Sequence, residues 1–162
     1  MSHIETYLND HLAGSTVAVE LLEDLESSHD GEWRTFFRVL RADIESDRGK
    51  LETLMKEMDI DQSKLRKGMG WLGEKFTELK MRVDDLTDGD LRLFESLEAL
   101  SLGIEGKRSL WLALAEAATD NPDLRHLDYQ HLISRADEQR ARVEKRRLEI
   151  AARALAEPRQ QN

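Results

Sequence analysis

The chain contains no cysteine, and only two of its 162 residues are prolines. Without cysteine it has no disulfide, no thiolate metal site and no thiol nucleophile, and it carries no mark of an oxidising compartment. The sequence also lacks an uncharged apolar run of about 18 residues, the length that a membrane-spanning helix needs. Its first residues lack a basic region followed by an apolar stretch, so we expect no signal peptide and a cytoplasmic location.

The sequence also lacks a balance of charge, because acidic residues outnumber basic ones. The sequence has 24 lysines and arginines against 33 acidic residues, and its net charge of −9 argues against general nucleic-acid binding. Residues 1–33 hold eight acids and no lysine or arginine, whereas residues 135–159 hold eight bases and five acids. This polarity is typical of complementary helix faces or of a self-association surface, so we expect a homo-oligomer, most simply a dimer.

Helical periodicity dominates what the sequence does contain, and no segment alternates like a strand. Apolar residues recur every three or four positions in four long segments, for which we predict helices at about 3–28, 31–58, 90–119 and 122–157. Asp30 and Asn121 are expected as N-caps, with Pro122 at the first position of the last helix. Residues 1–158 are then a single helical-bundle domain, and residues 159–162 are a tail.

The connection between the second and third long helices is itself amphipathic, with apolar residues spaced 4-3-4-3-4 between Leu65 and Val83. We therefore predict a short crossover helix at about 63–82. A connection of this length can return along the bundle and make the second and third helices parallel. The predicted fold is all-α: a ferritin-like up-down-down-up four-helix bundle with an extra short helix in the crossover.

The crossover segment is also basic. Residues 64–82 hold six bases and two acids, together with Trp71 and Phe76. A basic amphipathic helix can lie on a membrane surface. More often such a helix covers a groove of the bundle, which the crossover topology already requires, so peripheral membrane contact is the minority interpretation.

Charged residues interrupt two of the apolar heptads: Asp47 in the second helix and Lys107 in the third. A buried charge is costly unless it is paired or bound to a metal. Matching the helices level by level places Asp47 and Lys107 in one layer with Arg135 and either His11 or Ser15. About two turns away, the same matching groups Glu20, Leu40 and Glu98 with either Arg142 or Val143.

The first interpretation is a network of buried ion pairs and hydrogen bonds. Its predicted members are Asp47, Lys107, Arg135, His11, Glu20, Glu98, Gln139 and Arg142. Asp47 would bond Arg135 across antiparallel helices. Glu20 would meet Glu98 between the first and third helices, where Arg142 or Arg146 would neutralise them. A network of this kind fixes helix register more than it adds stability.

The alternative is a site for iron or another divalent metal, with the ligands Glu20, Asp47, Glu98 and His131. Ferritin-like di-metal proteins supply a Glu from each of two helices and Glu-x-x-His from each of the other two. The second helix has no histidine, and Lys107 and Arg135 would repel a dication. We therefore rank the network first, expect no cofactor, and expect a binding or structural protein rather than an enzyme.

Three segments resemble a group of uncharacterised bacterial proteins with a ferritin-like bundle. The segments are Tyr7-Leu8-Asn9-Asp10-His11-Leu12-Ala13-Gly14, Leu97-Glu98-Ala99-Leu100 through Gly106-Lys107 to Trp111, and Arg135-Ala136-x-x-Gln139. The likeness spans nearly the whole chain and implies the bundle fold. The wider ferritin-like class implies iron storage, di-iron oxidation or dimerisation.

Overall fold

The structure is a computed structural model, and it describes residues 2–62, 74, 78 and 89–156. Those residues form four long α-helices and one 3₁₀ turn, and none of them is in a strand. The helices are α1 (His3–Ser28), α2 (Gly31–Glu57), α3 (Gly89–Ala117) and α4 (Tyr129–Ala154). The all-helical prediction is confirmed. The predicted crossover helix at 63–82, and with it the membrane-contact segment 64–82, lies outside the described residues except for Glu74 and Glu78, both helical.

Local chemistry fixes the start of α1 and the turn into α2. Ser2 caps α1 in a reciprocal capping box with Glu5, because each backbone N–H donates to the other's side chain at 3.2 Å. Asp30 is the N-cap residue of α2, and its carboxylate pairs with Arg34 at 3.3 Å. The chain reverses through Gly31, whose φ of +59° is a left-handed conformation that favours glycine.

The end of α2 is a Schellman motif that ties the following segment to the bundle. Asp59 adopts a φ of +54°, and the N–H of Ile60 donates to the Met55 carbonyl at 2.8 Å. Two residues later the chain reaches α1, because the side-chain amide of the buried Asn9 donates to the Asp61 carbonyl at 3.2 Å.

The last helix begins later than predicted. Asn121 and Pro122 do start a helical turn, but it is the short 3₁₀ turn Pro122–Leu124, and α4 starts only after its N-cap residue Asp128. The turn carries Leu124 into the core, and the Tyr129 hydroxyl donates to the Leu124 carbonyl at 2.6 Å. Continuing the helix from 122 would forgo this burial. The other helix bounds fall within three residues of the prediction.

Ion pairs between helices fix their relative directions. The pairs are Asp90–Arg153 and Arg108–Asp137 between α3 and α4, and Glu32–Arg146 and Asp47–Arg135 between α2 and α4. An early residue of one helix meets a late residue of the other in every case, so α4 runs antiparallel to both α2 and α3. Around the bundle the neighbouring helices are α1 and α2, α2 and α4, α4 and α3, and α3 and α1.

The buried apolar side chains form two clusters along the bundle. One contains Leu22, Leu40, Ile44, Leu97, Ile104 and Val143, and the other contains Leu8, Leu12, Leu51, Leu54, Trp111 and Leu132. In α2 and α3 the boundary between the clusters falls at the two charged heptad positions. The bundle core is therefore divided by a polar layer. No helix in the described part of the chain is both long and apolar enough to cross a bilayer.

Candidate functional site

Asp47 is the one charged side chain that the described residues bury completely, with 1% of its surface exposed. Its Oδ1 accepts a hydrogen bond from Arg135 Nε at 2.8 Å. Its Oδ2 accepts two more, from Lys107 Nζ at 2.6 Å and from Gln139 Nε2 at 2.8 Å. One carboxylate thus joins three helices, α2, α3 and α4, through hydrogen bonds to two cations and an amide.

Gln139 completes the layer by bonding in both directions. While its amide nitrogen donates to Asp47, its amide oxygen accepts a hydrogen bond from Lys107 Nζ. Gln139 is fully buried, whereas the Lys107 side chain is largely but not wholly so. The three side chains form a closed triangle, and each of its edges is a hydrogen bond.

A second carboxylate, Asp43, lies one turn before Asp47 on the same face of α2. Its Oδ2 accepts from the Arg142 guanidinium at 2.5 Å. Arg135 also reaches this level, because one terminal nitrogen donates to the Asp43 carbonyl at 3.3 Å. Arginines of α4 therefore close the seam between α2 and α4. The extended site holds three cations and two carboxylates.

The electrostatics of the layer favour a charged Asp47. Burial alone would raise the pKa of this carboxyl, but the charge of Lys107 and the hydrogen bonds from Lys107, Gln139 and Arg135 outweigh it and hold the pKa below its usual range. Burial lowers the pKa of Lys107, although Asp47 opposes the shift. The hydrogen bond to Asp47 raises the pKa of Arg135. The Asp47 carboxylate therefore stabilises the charged forms of both Lys107 and Arg135.

The structure brings together four of the residues predicted for the network and places a fifth beside them. The four are Asp47, Lys107, Arg135 and Gln139, and the fifth is Arg142. Asp43 is not among the residues predicted for the network. Its spacing of four residues from Asp47 was the available signal, since positions i and i+4 share a helix face.

Neither α1 candidate for the layer makes a described bond to it. The His11 ring lies edge-on to Tyr7, with 4.7 Å between ring centroids. Burial lowers the pKa of His11, and the charge of Asp10 partly opposes this shift. The Ser15 hydroxyl donates to the Leu12 carbonyl of its own helix at 2.6 Å. Of the described residues, those that bond Asp47 all come from α3 and α4.

Glu20 and Glu98 are exposed, so the expected buried carboxylate pair is wrong. Each residue directly follows a buried one, Val19 or Leu97. One step along a helix turns a side chain by about 100°, which moves it from the core face to the flank. Glu98 pairs there with Arg147 at 3.5 Å. Level-matching therefore assigned both carboxylates to the wrong face of their helices.

The residues of the alternative metal site are dispersed. His131 is exposed near the start of α4, where its backbone N–H donates to Asp128 at 3.0 Å. Asp47 holds two cations, and Glu20 and Glu98 lie outside the core. Within the described ranges no three His, Asp or Glu side chains come close enough to share an ion. The donor set therefore does not fit the di-metal pattern of two lone Glu and two Glu-x-x-His.

No protein-family model, no curated protein and no solved structure matches this chain.

Proposed function

We propose that this chain is a non-catalytic, ferritin-like helical bundle that acts as a binding or structural protein, with an ion-pair layer in place of a di-metal site. The observation that carries this proposal is the Asp47 carboxylate, which is 1% exposed and is bonded to both Lys107 and Arg135. A metal ligand needs free lone pairs that face other anionic or neutral donors. Here the carboxylate faces ammonium and guanidinium groups instead.

The helix directions support the ferritin-like topology. Because α2 and α3 both run antiparallel to α4, they run parallel to each other, and α1 is antiparallel to α2 across a two-residue turn. The end of α2 and the start of α3 therefore lie at opposite ends of the bundle, separated by about the length of α2, which is about 40 Å at 1.5 Å per residue. Parallel second and third helices are typical of the up-down-down-up order.

The role that we propose for the layer is to hold the two hairpins in register. A slip of one turn, about 5.4 Å, would separate Asp47 from its three donors and leave a buried charge unpaired. A layer of apolar side chains tolerates such a slip more readily, because the next leucine of the helix can occupy the same place in the core. A fixed register gives the bundle a single defined surface, which a binding or self-associating protein requires.

The test combines metal analysis with unfolding of an Asp47 variant. We expect protein purified without a histidine tag to hold less than about one metal ion per chain and to show no oxidation of added ferrous iron. Asp47→Ala should lower the free energy of unfolding by about 3–5 kcal/mol, equally with and without a chelator. The measurement is urea denaturation.

Asp137→Ala is the matched control, because Asp137 also pairs with an arginine, Arg108 at 2.7 Å, but on the surface. We expect it to cost at most about 1 kcal/mol. Stoichiometric iron that is lost on Glu20→Ala or Glu98→Ala would overturn the proposal. So would an Asp47→Ala loss that appears only in metal-loaded protein.

A further inference from the structure

Helix α4 carries two heptad stripes on opposite faces. The inward stripe packs in the core and contains Leu132, Ala136, Gln139, Val143 and Ile150. The outward stripe is exposed along its whole length. It contains Ala141, Lys145, Leu148 and Ala152 of α4 and continues to the C-cap residue Leu155, spaced 4-3-4-3. The fold explains the first stripe and leaves the second without a partner among the described residues.

The outward stripe has the composition of a narrow helix-pairing seam. Leu148 is 62% exposed and Leu155 is 64% exposed, the two most exposed large apolar side chains of the described chain. Between them and beside them the stripe holds small residues and the long stem of Lys145. Apolar residues that repeat at heptad spacing are the signature of a helix that pairs with another helix.

The charges beside the stripe are self-complementary. Arg142 and Glu149 lie on the same flank, one heptad apart, and both side chains are partly exposed. Each also pairs within its own chain, Arg142 with Asp43 and Glu149 with Arg146, so a contact with a second copy would extend these pairs. When two copies of a helix pair antiparallel, equivalent flanks face each other. Arg142 of one copy then lies opposite Glu149 of the other, and the two-fold axis repeats this contact.

We propose that α4 pairs with α4 of a second copy of this chain, antiparallel, about a two-fold axis between Lys145 and Leu148. In this register Ala141 faces Ala152 of the second copy, and Leu148 covers the stem of its Lys145. The proposal rests on the self-association included in the proposed function and names its surface. A stripe about 21 Å long and about 10 Å wide buries well under the roughly 800 Å² per partner of a standard interface, so the dimer dissociates on dilution.

The first experiment measures mass by sedimentation between about 1 μM and 1 mM protein, where an interface of this size should change from monomer to dimer. We expect Leu148→Glu to shift the association constant at least about tenfold towards monomer. Leu112→Glu is the matched control, because Leu112 is a 44% exposed leucine on α3, and it should leave association unchanged. Equal effects of the two substitutions, or a monomer at every concentration, would overturn the proposal.

The second experiment is cysteine cross-linking. The chain contains no cysteine, so a single introduced cysteine is the only thiol that a cross-linker can join between two copies. Two Leu148→Cys copies lie beside the axis, so a short thiol cross-linker should join them. Two Leu155→Cys copies lie about 25 Å apart along the antiparallel pair and should not be joined. Cross-linking at both positions would indicate parallel pairing, and cross-linking at neither would place the interface elsewhere. Either result refutes the proposed antiparallel pairing of α4 with α4 and leaves the Asp47 unfolding test unaffected.

Discussion

The carboxylate of Asp47 and the guanidinium of Arg135 meet across two antiparallel helices, with 2.8 Å between Oδ1 and Nε, although 88 positions separate them in the sequence. The second cation, Lys107, approaches the same carboxylate from a third helix. Asp47 therefore cannot be treated as half of a simple pair. Removing one cation leaves the other paired with Asp47, whereas removing the carboxylate leaves both cations without this partner.

Apolar replacement of the whole buried layer should restore most of the stability that Asp47→Ala removes. The quadruple variant Asp47→Leu, Lys107→Met, Arg135→Met, Gln139→Leu eliminates the desolvation cost together with the pairing. Gln139 is included because its amide bonds Asp47 and Lys107, and it would be buried without these partners if it were kept. We expect the free energy of unfolding of this variant to lie within about 2 kcal/mol of the original protein. Urea denaturation measures it. A quadruple variant as unstable as Asp47→Ala would contradict the ion-pair account.

Stability should fall in acid because of Asp47. Its folded pKa lies below the unfolded value of about 3.9, so its contribution is present above that pH and is lost as the pH falls through the folded pKa. The comparison is between the original protein and Asp47→Asn. Their difference in unfolding free energy should stay constant from pH 7 to about pH 5 and narrow below about pH 4. A difference that persists undiminished at pH 2 would exclude this linkage.

His11 should add a separate pH dependence at milder acidity. Burial lowers its folded pKa, so the unfolded chain binds a proton first as the pH drops below about 6.5, and stability decreases. His11→Phe keeps a ring against Tyr7 and should flatten unfolding free energy between about pH 6.5 and 5. Asp10→Asn removes a charge that favours protonated His11, so the loss should extend to lower pH. An unchanged slope in His11→Phe would disprove the assignment.

The seam between α2 and α4 ends in a cation–π cluster that can be tested by substitution. Arg146 lies over the rings of Trp33, at 5.3 Å, and Phe36, at 5.7 Å. Arg146→Met keeps a flexible apolar stem but loses the charge, and should cost about 0.5–1 kcal/mol. Tryptophan fluorescence during urea unfolding measures the cost. Arg140→Met, at a 3.7 Å surface pair with Glu105, is the control and should have a smaller effect.

Periodicity predicted the helices because each long segment repeats its apolar residues every three or four positions. Periodicity also identified Asp47 and Lys107, because a charged residue at a heptad position whose neighbours in the repeat are apolar faces the core. The start of α4 was missed because Asn121-Pro122 and Asp128 are both valid helix starts. Only the burial of Leu124 decides between them, and burial depends on tertiary packing.

The faces of Glu20 and Glu98 were missed for a related reason. Both directly follow a buried residue, and a rotation of one residue decides between core and flank. The contact of Asn9 with Asp61 has no sequence signal either, because it joins positions 52 residues apart. To predict which polar side chains meet across the bundle, one must know how each helix is rotated about its own axis. A single sequence indicates this rotation only through the position of its apolar stripe.

The position of Asp47 has a consequence for the order of folding. Each hairpin, α1 with α2 and α3 with α4, forms from neighbouring segments, whereas the partners of Asp47 lie 60, 88 and 92 residues away. Loop closure delays such distant contacts, so we expect them to form after the folding transition state. Asp47→Asn should then accelerate unfolding and leave the refolding rate nearly unchanged. Stopped-flow kinetics measures both rates, and would show whether this carboxylate forms its contacts late in folding and slows unfolding of the native state.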